Sequence, residues 1–276
     1  MSLKQIVEFV CSALYAGTLW IGPRQPRRVV LFYHGVAKEQ IDSFERQMAH
    51  LAARYRVVPA SRIRSAPSED GRGLVALTFD DALVSVHDHA APVLIRHGLP
   101  ATICVPTGNL GRPPAWSMAD GCPERGDCVM TEQQISRLAE LGFEWFSHGV
   151  SHSPLSELSE EEIRREMIES RRRLEGILGC EVVGIGYPHG ACDDRVARCA
   201  REAGYCIGLT TEPSFASEAA DELLTGRTSV SAGDGLLTFR LKAYGAYEAT
   251  RYLSRTKRFL LRRFQSRRES GARQPS

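Results

Sequence analysis

The sequence predicts an α/β fold of parallel strands joined by helical crossovers, on three observations. Short apolar runs alternate with helix-length amphipathic segments along most of the chain. Side chains able to do chemistry fall directly after those runs rather than within them. With 276 residues, 43% of them hydrophobic, the chain can bury one substantial core, so one large domain is the economical arrangement. The pattern alone leaves a barrel and an open doubly wound sheet as alternatives.

Taken in order, residues 27–33 (RRVVLFY) read as a buried strand ending at His34-Gly35. A helix over 43–55 carries Phe44, Met48, Leu51 and Tyr55 on one side. A second strand spans 74–79, followed by a helix over 83–98 closed by its glycine. The third strand is 101–106. Residues 107–129, rich in Gly, Pro and polar side chains, are too long for a plain connector and read as a functional loop. Thr131 and Gln134 form a capping box opening a helix to Gly142, and a strand at 143–146 follows. Ser159 and Glu162 cap a long helix ending near Gly179. A strand at 182–187, a helix at 193–203 and a strand at 205–209 complete the series, with no internal repeat.

The polar residues then fall into place. His34, Asp80-Asp81, Ser147-His148 and Pro188-His189 each follow a strand, and in parallel α/β folds the carboxyl ends of the strands share one face. Thr78-Phe79-Asp80-Asp81 brings two carboxylates to that rim, and Ser147-His148-Gly149-Val150-Ser151-His152 brings two imidazoles. One carboxylate with two imidazoles suits a divalent metal that keeps positions open for water and substrate. The second carboxylate is left to act as a base, the division of labour that hydrolysis of an amide or ester needs. Alone, an Asp pair after a strand is a turn and cap signal, and two loop histidines are ordinarily satisfied by backbone.

These motifs, with Gly186-Tyr187-Pro188-His189-Gly190 and the connecting stretches 99–111 (LPATICVPTGNLG) and 155–179 (LSELSEEEIRREMIESRRRLEGILG), resemble the polysaccharide deacetylase family, carbohydrate esterase family four. The resemblance runs from about residue 29 to about residue 244. It implies a distorted (β/α) barrel of parallel strands forming a single catalytic domain. It implies that Asp81, His148 and His152 hold a divalent metal, zinc first, with cobalt, nickel and manganese as alternatives. Asp80 would be the general base, and the main-chain N–H of His189, after Pro188, would stabilise the oxyanion. Pro188 and Tyr187 would shape the substrate wall, and Tyr187 and Trp116 are either platforms for a pyranose face or core and loop-anchoring residues.

Family members take their general acid from a Leu-x-x-His element near the C-terminus. This chain has no histidine after His189, but Leu31-Phe32-Tyr33-His34 carries the pattern near the N-terminus. The chain is therefore read as a circularly permuted member with His34 as the acid, a role imidazoles commonly fill. It departs from the family twice. The arginine expected two residues before the motif proline, where it pairs with the base, is Gly186, so another group must orient Asp80. The aromatic residue expected after the proline is His189. His87, His89 and His97 lie on a helix and are expected to be solvated or packed.

The ends differ from the middle. Residues 9–22 are apolar but short for a membrane span. Lys4 ahead of them mimics a signal peptide, whereas Glu8 and the lack of a small-x-small cleavage site favour a retained helix, docked or lying in a membrane interface. Residues 251–268 are densely basic without an acid, and Leu253, Phe259, Leu260, Leu261 and Phe264 fit one side of a helix. That segment reads either as an attachment to an anionic membrane or as a solvated terminal helix. The expected organisation is an N-terminal helix and linker over 1–25, a catalytic domain over 26–247 and a basic tail over 248–276.

A net charge of +2 gives no sign of a nucleic-acid partner, and none is expected. Of the eight cysteines, Cys122 and Cys128 share a loop and are candidates for a bridge in an oxidising compartment. Cys104, Cys180 and Cys206 read as small core residues. No C-x-x-C occurs, which argues against a cysteine zinc site. A cytoplasmic or membrane-peripheral location is preferred, with a periplasmic one open. The function expected is metal-dependent removal of acetyl groups from an N-acetylated sugar in a surface polysaccharide or glycolipid precursor. The rivals are hydrolysis of a small non-sugar amide or O-acetyl ester, and a non-catalytic glycan-binding or assembly protein on a degenerate scaffold. Intact Asp80, Asp81, His148 and His152 weigh against the last.

Overall fold

The computed structural model describes residues 3–21, 27–68, 71–116 and 124–251. Cys122 and the basic stretch beyond residue 251, with Leu253, Phe259, Leu260, Leu261 and Phe264, lie outside the described residues. The described residues form eight strands, the longer of them on buried branched and aromatic runs: β1 (Arg28–Tyr33), β2 (Arg56–Val57), β3 (Leu74–Phe79), β4 (Thr102–Val105), β5 (Glu144–Ser147), β6 (Gly184–Gly186), β7 (Ile207–Leu209) and β8 (Thr228–Ser229). All pair in parallel, in the order β7-β6-β5-β4-β3-β1-β8, with β2 beside β3. Each of the six residues of β3 (LVALTF) is buried, as a parallel strand covered on both faces requires.

Between strands run α2 (Ile41–Arg54), α3 (Ala91–His97), α4 (Glu132–Glu140), α5 (Glu160–Leu178) and α6 (Asp194–Glu202), with α1 (Leu3–Ile21) before the first strand and α7 (Leu236–Ala243) after the last. Thr131 and Gln134 close the expected capping box on α4, and Ser159 with Glu162 does the same on α5. The segment before α3 is a π-helical turn, Val86–Ala90, where a plain helix was predicted. β2, β8 and α7 were not foreseen. The first two are pairs of residues, too short to show a period, and α7 (LLTFRLKA) mixes apolar and polar residues all round, so no face stands out.

The sheet curls. Thr225 bridges Leu209 at the end of β7, and three residues later Thr228 and Ser229 pair with Leu31 and Phe32 of β1. Residues 225–229 thus draw the two edges together, and the result is the distorted (β/α) barrel of one domain. Its core includes Tyr33 stacked on Phe79 with ring centroids 5.2 Å apart, and Phe44 set edge-on to Tyr33 at 5.4 Å. Removing a ring such as Phe79, fully buried, would cost about 3–5 kcal/mol.

Two cysteine expectations need correction. Cys104 is buried, but Cys180 and Cys206 are exposed, because one follows the last turn of α5 and the other precedes β7, at the amino ends of the strands. Cys128 carries a free thiol. Among the described residues no helix is long and apolar enough to cross a membrane.

Candidate metal centre and active site

Register brings the site together. Tyr33 pairs with Phe79, so His34 and Asp80 emerge side by side, and the Asp80 N–H donates to the Tyr33 carbonyl at 2.8 Å. Val105 pairs with Ser147 and Ser147 with Ile185, which brings His148 and the Pro188 turn to the same rim. Asp81, His148 and His152 are buried, and one ligand atom of each lies within 4.8 Å of the others. Oδ1 of Asp81 is 3.1 Å from Nε2 of His152 and 3.6 Å from Nε2 of His148.

The donors fit a divalent cation. Nδ1 of His148 donates to the Gly186 carbonyl at 2.6 Å, which fixes the tautomer and turns the Nε2 lone pair toward Asp81. Burial, against the opposing charge of Asp80, pushes the His148 imidazole down to about 4, so it is neutral and able to ligate at ordinary pH. Oδ1 of Asp81 is buried without a hydrogen bond from the chain, a cost that a cation at this point removes. One carboxylate oxygen and two imidazole nitrogens form the donor set of a hydrolytic metal site with open positions.

Strain marks the same place. Asp81 (φ 67°), Ala82 (φ 46°), His152 (φ 62°) and His189 (φ 58°) are the non-glycine residues with left-handed backbone among those described. Such conformations cost about 1–3 kcal/mol each and persist where the surroundings impose them. Here the Met130 N–H donates to the Ala82 carbonyl at 2.8 Å, and Glu166 of α5 accepts from the N–H groups of Val150 and Ser151 at 2.7 and 2.9 Å. Gly108 donates to the Val150 carbonyl at 2.8 Å, so the His152 loop is held on both sides.

Asp80 is held by a residue that sequence reasoning missed. Arg227, fully buried at the barrel seam, grips it with a fork: Nη1 to Oδ1 at 2.7 Å and Nη2 to Oδ2 at 2.8 Å. Its Nε donates to the Thr210 carbonyl at 3.0 Å, and Nη1 also reaches Oγ1 of Thr78 at 3.0 Å. Burial opposes the charge on Asp80, but Arg227, aided by His148 and His34, outweighs it and holds the carboxyl well below the usual range. Gly186 cannot supply this arginine. A Cβ there would lie 2.8 Å from Sγ of Cys104 and 3.2 Å from Nδ1 of His148. The only signal in the sequence was one arginine in the uncharged run Leu223-Leu224-Thr225-Gly226-Arg227-Thr228.

The outer wall is made of rings. Trp116, half-buried, stacks on His152 with centroids 4.2 Å apart and planes at 26°. His189 meets the same imidazole edge-on at 4.7 Å, and burial, with His152 beside it, pushes the His189 imidazole down. His34 is exposed at the rim, edge-on to Phe32 at 5.8 Å, and its charge acts on both Asp80 and His189. Pro188 is buried beneath the turn that presents His189. Tyr187 does not join them. It is fully buried in the main core, its hydroxyl lying where a side chain on Gly208 would be, and it offers no face to a sugar. Tyr187 directly follows β6 and faces the core, whereas the left-handed turn after it carries His189 to the rim. His87 pairs with Asp88, His89 with the Val36 carbonyl and His97 with Glu45, all away from the site as expected.

Comparison with known proteins bears on the family and the fold. The family model described as polysaccharide deacetylase matches residues 68–208. YxkH of Bacillus subtilis (strain 168), whose name assigns it provisionally to the polysaccharide deacetylases, is 26% identical over 238 residues, covering 83% of this chain and 78% of its own. Among solved structures, the Streptococcus pyogenes deacetylase PplD in complex with acetate aligns with a TM-score of 0.66 at 23% identity, over 79% of this chain and 99% of that one. IcaB from Ammonifex degensii aligns at 0.62 and 21% identity, over 81% and 98%. At these identities the structures establish the fold.

Proposed function

The chain belongs to the polysaccharide deacetylase family, and on that premise we propose that it is a metal-dependent hydrolase of the acetamide on an N-acetylated sugar, of N-acetylglucosamine type, in a surface polysaccharide or a glycolipid precursor. One observation carries this reading: a buried Asp81–His148–His152 cluster beside a second carboxylate, Asp80, that Arg227 keeps ionised. A binding module has no use for that second carboxylate. On this reading residues 26–247 form the catalytic unit, in a cytoplasmic or membrane-peripheral location, with a periplasmic one as the alternative.

Asp81 would hold the metal through Oδ1, and His148 and His152 through Nε2. Bound there, zinc, or cobalt, nickel or manganese in its place, supplies Lewis acidity that draws electron density from the acyl oxygen. Asp80 removes the proton from the attacking water. Each Asp80 oxygen accepts one Arg227 N–H, which leaves lone pairs on both for that proton. The left-handed turn at His189 offers its main-chain N–H to the charge that develops on the acyl oxygen. His34 gives a proton to the nitrogen as the carbon–nitrogen bond breaks, so the products are acetate and a free amine.

The test is hydrolysis by the chain stripped of metal and reloaded with each cation singly, read as acetate release from the acetylated sugars and as ring opening of the cyclic amides. Substrates are N-acetylglucosamine oligomers, O-acetylated sugars and small cyclic amides. Turnover of the N-acetylated oligomers that depends on reloading is expected. Acetate released from O-acetyl esters alone, or from none of the panel, would remove the reading.

A further inference from the structure

Helix α1 has two faces of different kinds. Ser12 is buried, and Tyr15 donates to Oε2 of Glu248 at 3.3 Å, which docks the helix on the 246–248 turn and α7. That contact fixes the roll of the helix and leaves the opposite side outward. On that side Ile6, Val7, Val10 and Leu14 are 45, 45, 49 and 71% exposed. Spaced at three and four residues, they make one apolar stripe, and the small residues Ala13 and Gly17 extend it. A stripe of this kind on a docked helix calls for an apolar partner.

The chain itself indicates which. The turn on which α1 docks continues directly into residues 251–268, which carry eight Lys and Arg and no acid. A protein partner of ordinary composition has no need of so much unbalanced positive charge, whereas an anionic bilayer attracts it. The geometry points to an in-plane membrane anchor in two parts: the outer face of α1 enters the interface of an anionic lipid surface, and the basic residues that follow in the chain bind the headgroups. Apolar on its outer face and docked by its inner one, α1 suits a peripheral association. The inference stands independently of the substrate.

The experiment is co-sedimentation of the full chain with vesicles of phosphatidylglycerol and phosphatidylcholine, against phosphatidylcholine alone, at low and high salt. Binding to the anionic vesicles that salt weakens is expected. The Val10→Asp/Leu14→Asp variant, altered only at exposed positions, should lose at least about tenfold in partitioning. The full-length Arg258→Gln/Arg262→Gln/Arg263→Gln variant should lose selectivity for anionic lipid. Unchanged binding by Val10→Asp/Leu14→Asp would overturn the anchor, because α1 would then take no part. So would a chain that ignores vesicles, whether it is monomeric or a dimer that the same variant dissociates, the latter assigning the stripe to a second copy. Turnover of soluble oligomers, measured alongside, separates failure of the anchor from failure of the deacetylase reading.

Discussion

On the inner wall of the site, Asp80, Arg227 and His148 are buried and joined to their neighbours by hydrogen bonds of 2.6, 2.7 and 2.8 Å. On the outer wall, His152, Trp116 and His189 meet through ring faces and edges at 4.2 and 4.7 Å, on loops rather than strands. Hydrogen bonds specify a tautomer and a charge state, whereas ring contacts hold an orientation and tolerate small rotations. The two imidazoles of the metal cluster make the contrast sharp. Nδ1 of His148 is tied to a backbone carbonyl, while Nδ1 of His152 is buried without a partner and its ring is held between Trp116 and His189. The inner wall therefore fixes what chemistry is done, and the outer wall governs how firmly the site is assembled and what approaches it.

The largest effects belong to the inner wall. Asp80→Asn keeps the fork of Arg227 partly filled but removes the base, and turnover should fall by about 10²–10⁴-fold with metal content unchanged. His148→Ala should lose both. Elemental analysis beside a rate measurement distinguishes them, and loss of metal from Asp80→Asn would merge the two roles this comparison separates.

Arg227→Met tests the fork itself. It strands a carboxylate that is nearly free of solvent, and unfolding by denaturant should show a loss of about 3–5 kcal/mol. The pH dependence has a definite sign. Because the folded Asp80 is depressed, its stabilisation is present above the ordinary carboxylate range and is lost as pH falls through the depressed value. With Arg227 gone, burial dominates and Asp80 rises, so the acid limb of the turnover profile should move to higher pH. Arg227→Lys restores charge without a fork and should recover the limb in part. A limb that stays in place in Arg227→Met would show that Asp80 is oriented and tuned by something else.

His34→Ala comes next. As the one rim imidazole outside the cluster and its ring stack, it should depress turnover less than Asp80→Asn and flatten the basic limb, with metal content intact. An unaltered basic limb would return the acid role to another group.

What could be read from the sequence divides along the same line. Asp80, Asp81, His148 and His152 follow strands at fixed offsets, so register alone delivers them, and the sequence pattern sufficed. Arg227 comes from the closure of the barrel, where a two-residue strand meets β1 across nearly 200 positions of chain, and no local period announces it. For Tyr187 the core alternative holds and the substrate wall does not, because a motif names neighbours without saying which way each side chain faces. Trp116 was correctly placed near the site, but one of the faces that the sugar-platform alternative needs is already occupied by His152.

That last difference leads to the smallest and most discriminating effect. A metal-ligating histidine ordinarily owes its orientation to a hydrogen bond on its second nitrogen, and losing such support weakens metal binding by about 10–100-fold. His152 has no such bond, so the stack with Trp116 should carry part of that duty. Trp116→Ala is expected to weaken metal binding by about tenfold, near the lower end of that range, since the His189 edge and the Glu166-pinned loop remain. At saturating metal its turnover should approach that of the parent chain, and Trp116→Phe, which keeps a ring, should restore affinity. A competition titration against a chelator reads this directly. If Trp116→Ala binds metal as tightly as the parent yet shows a raised KM, the indole serves the substrate, and the outer wall is a sugar platform rather than a brace for the cluster.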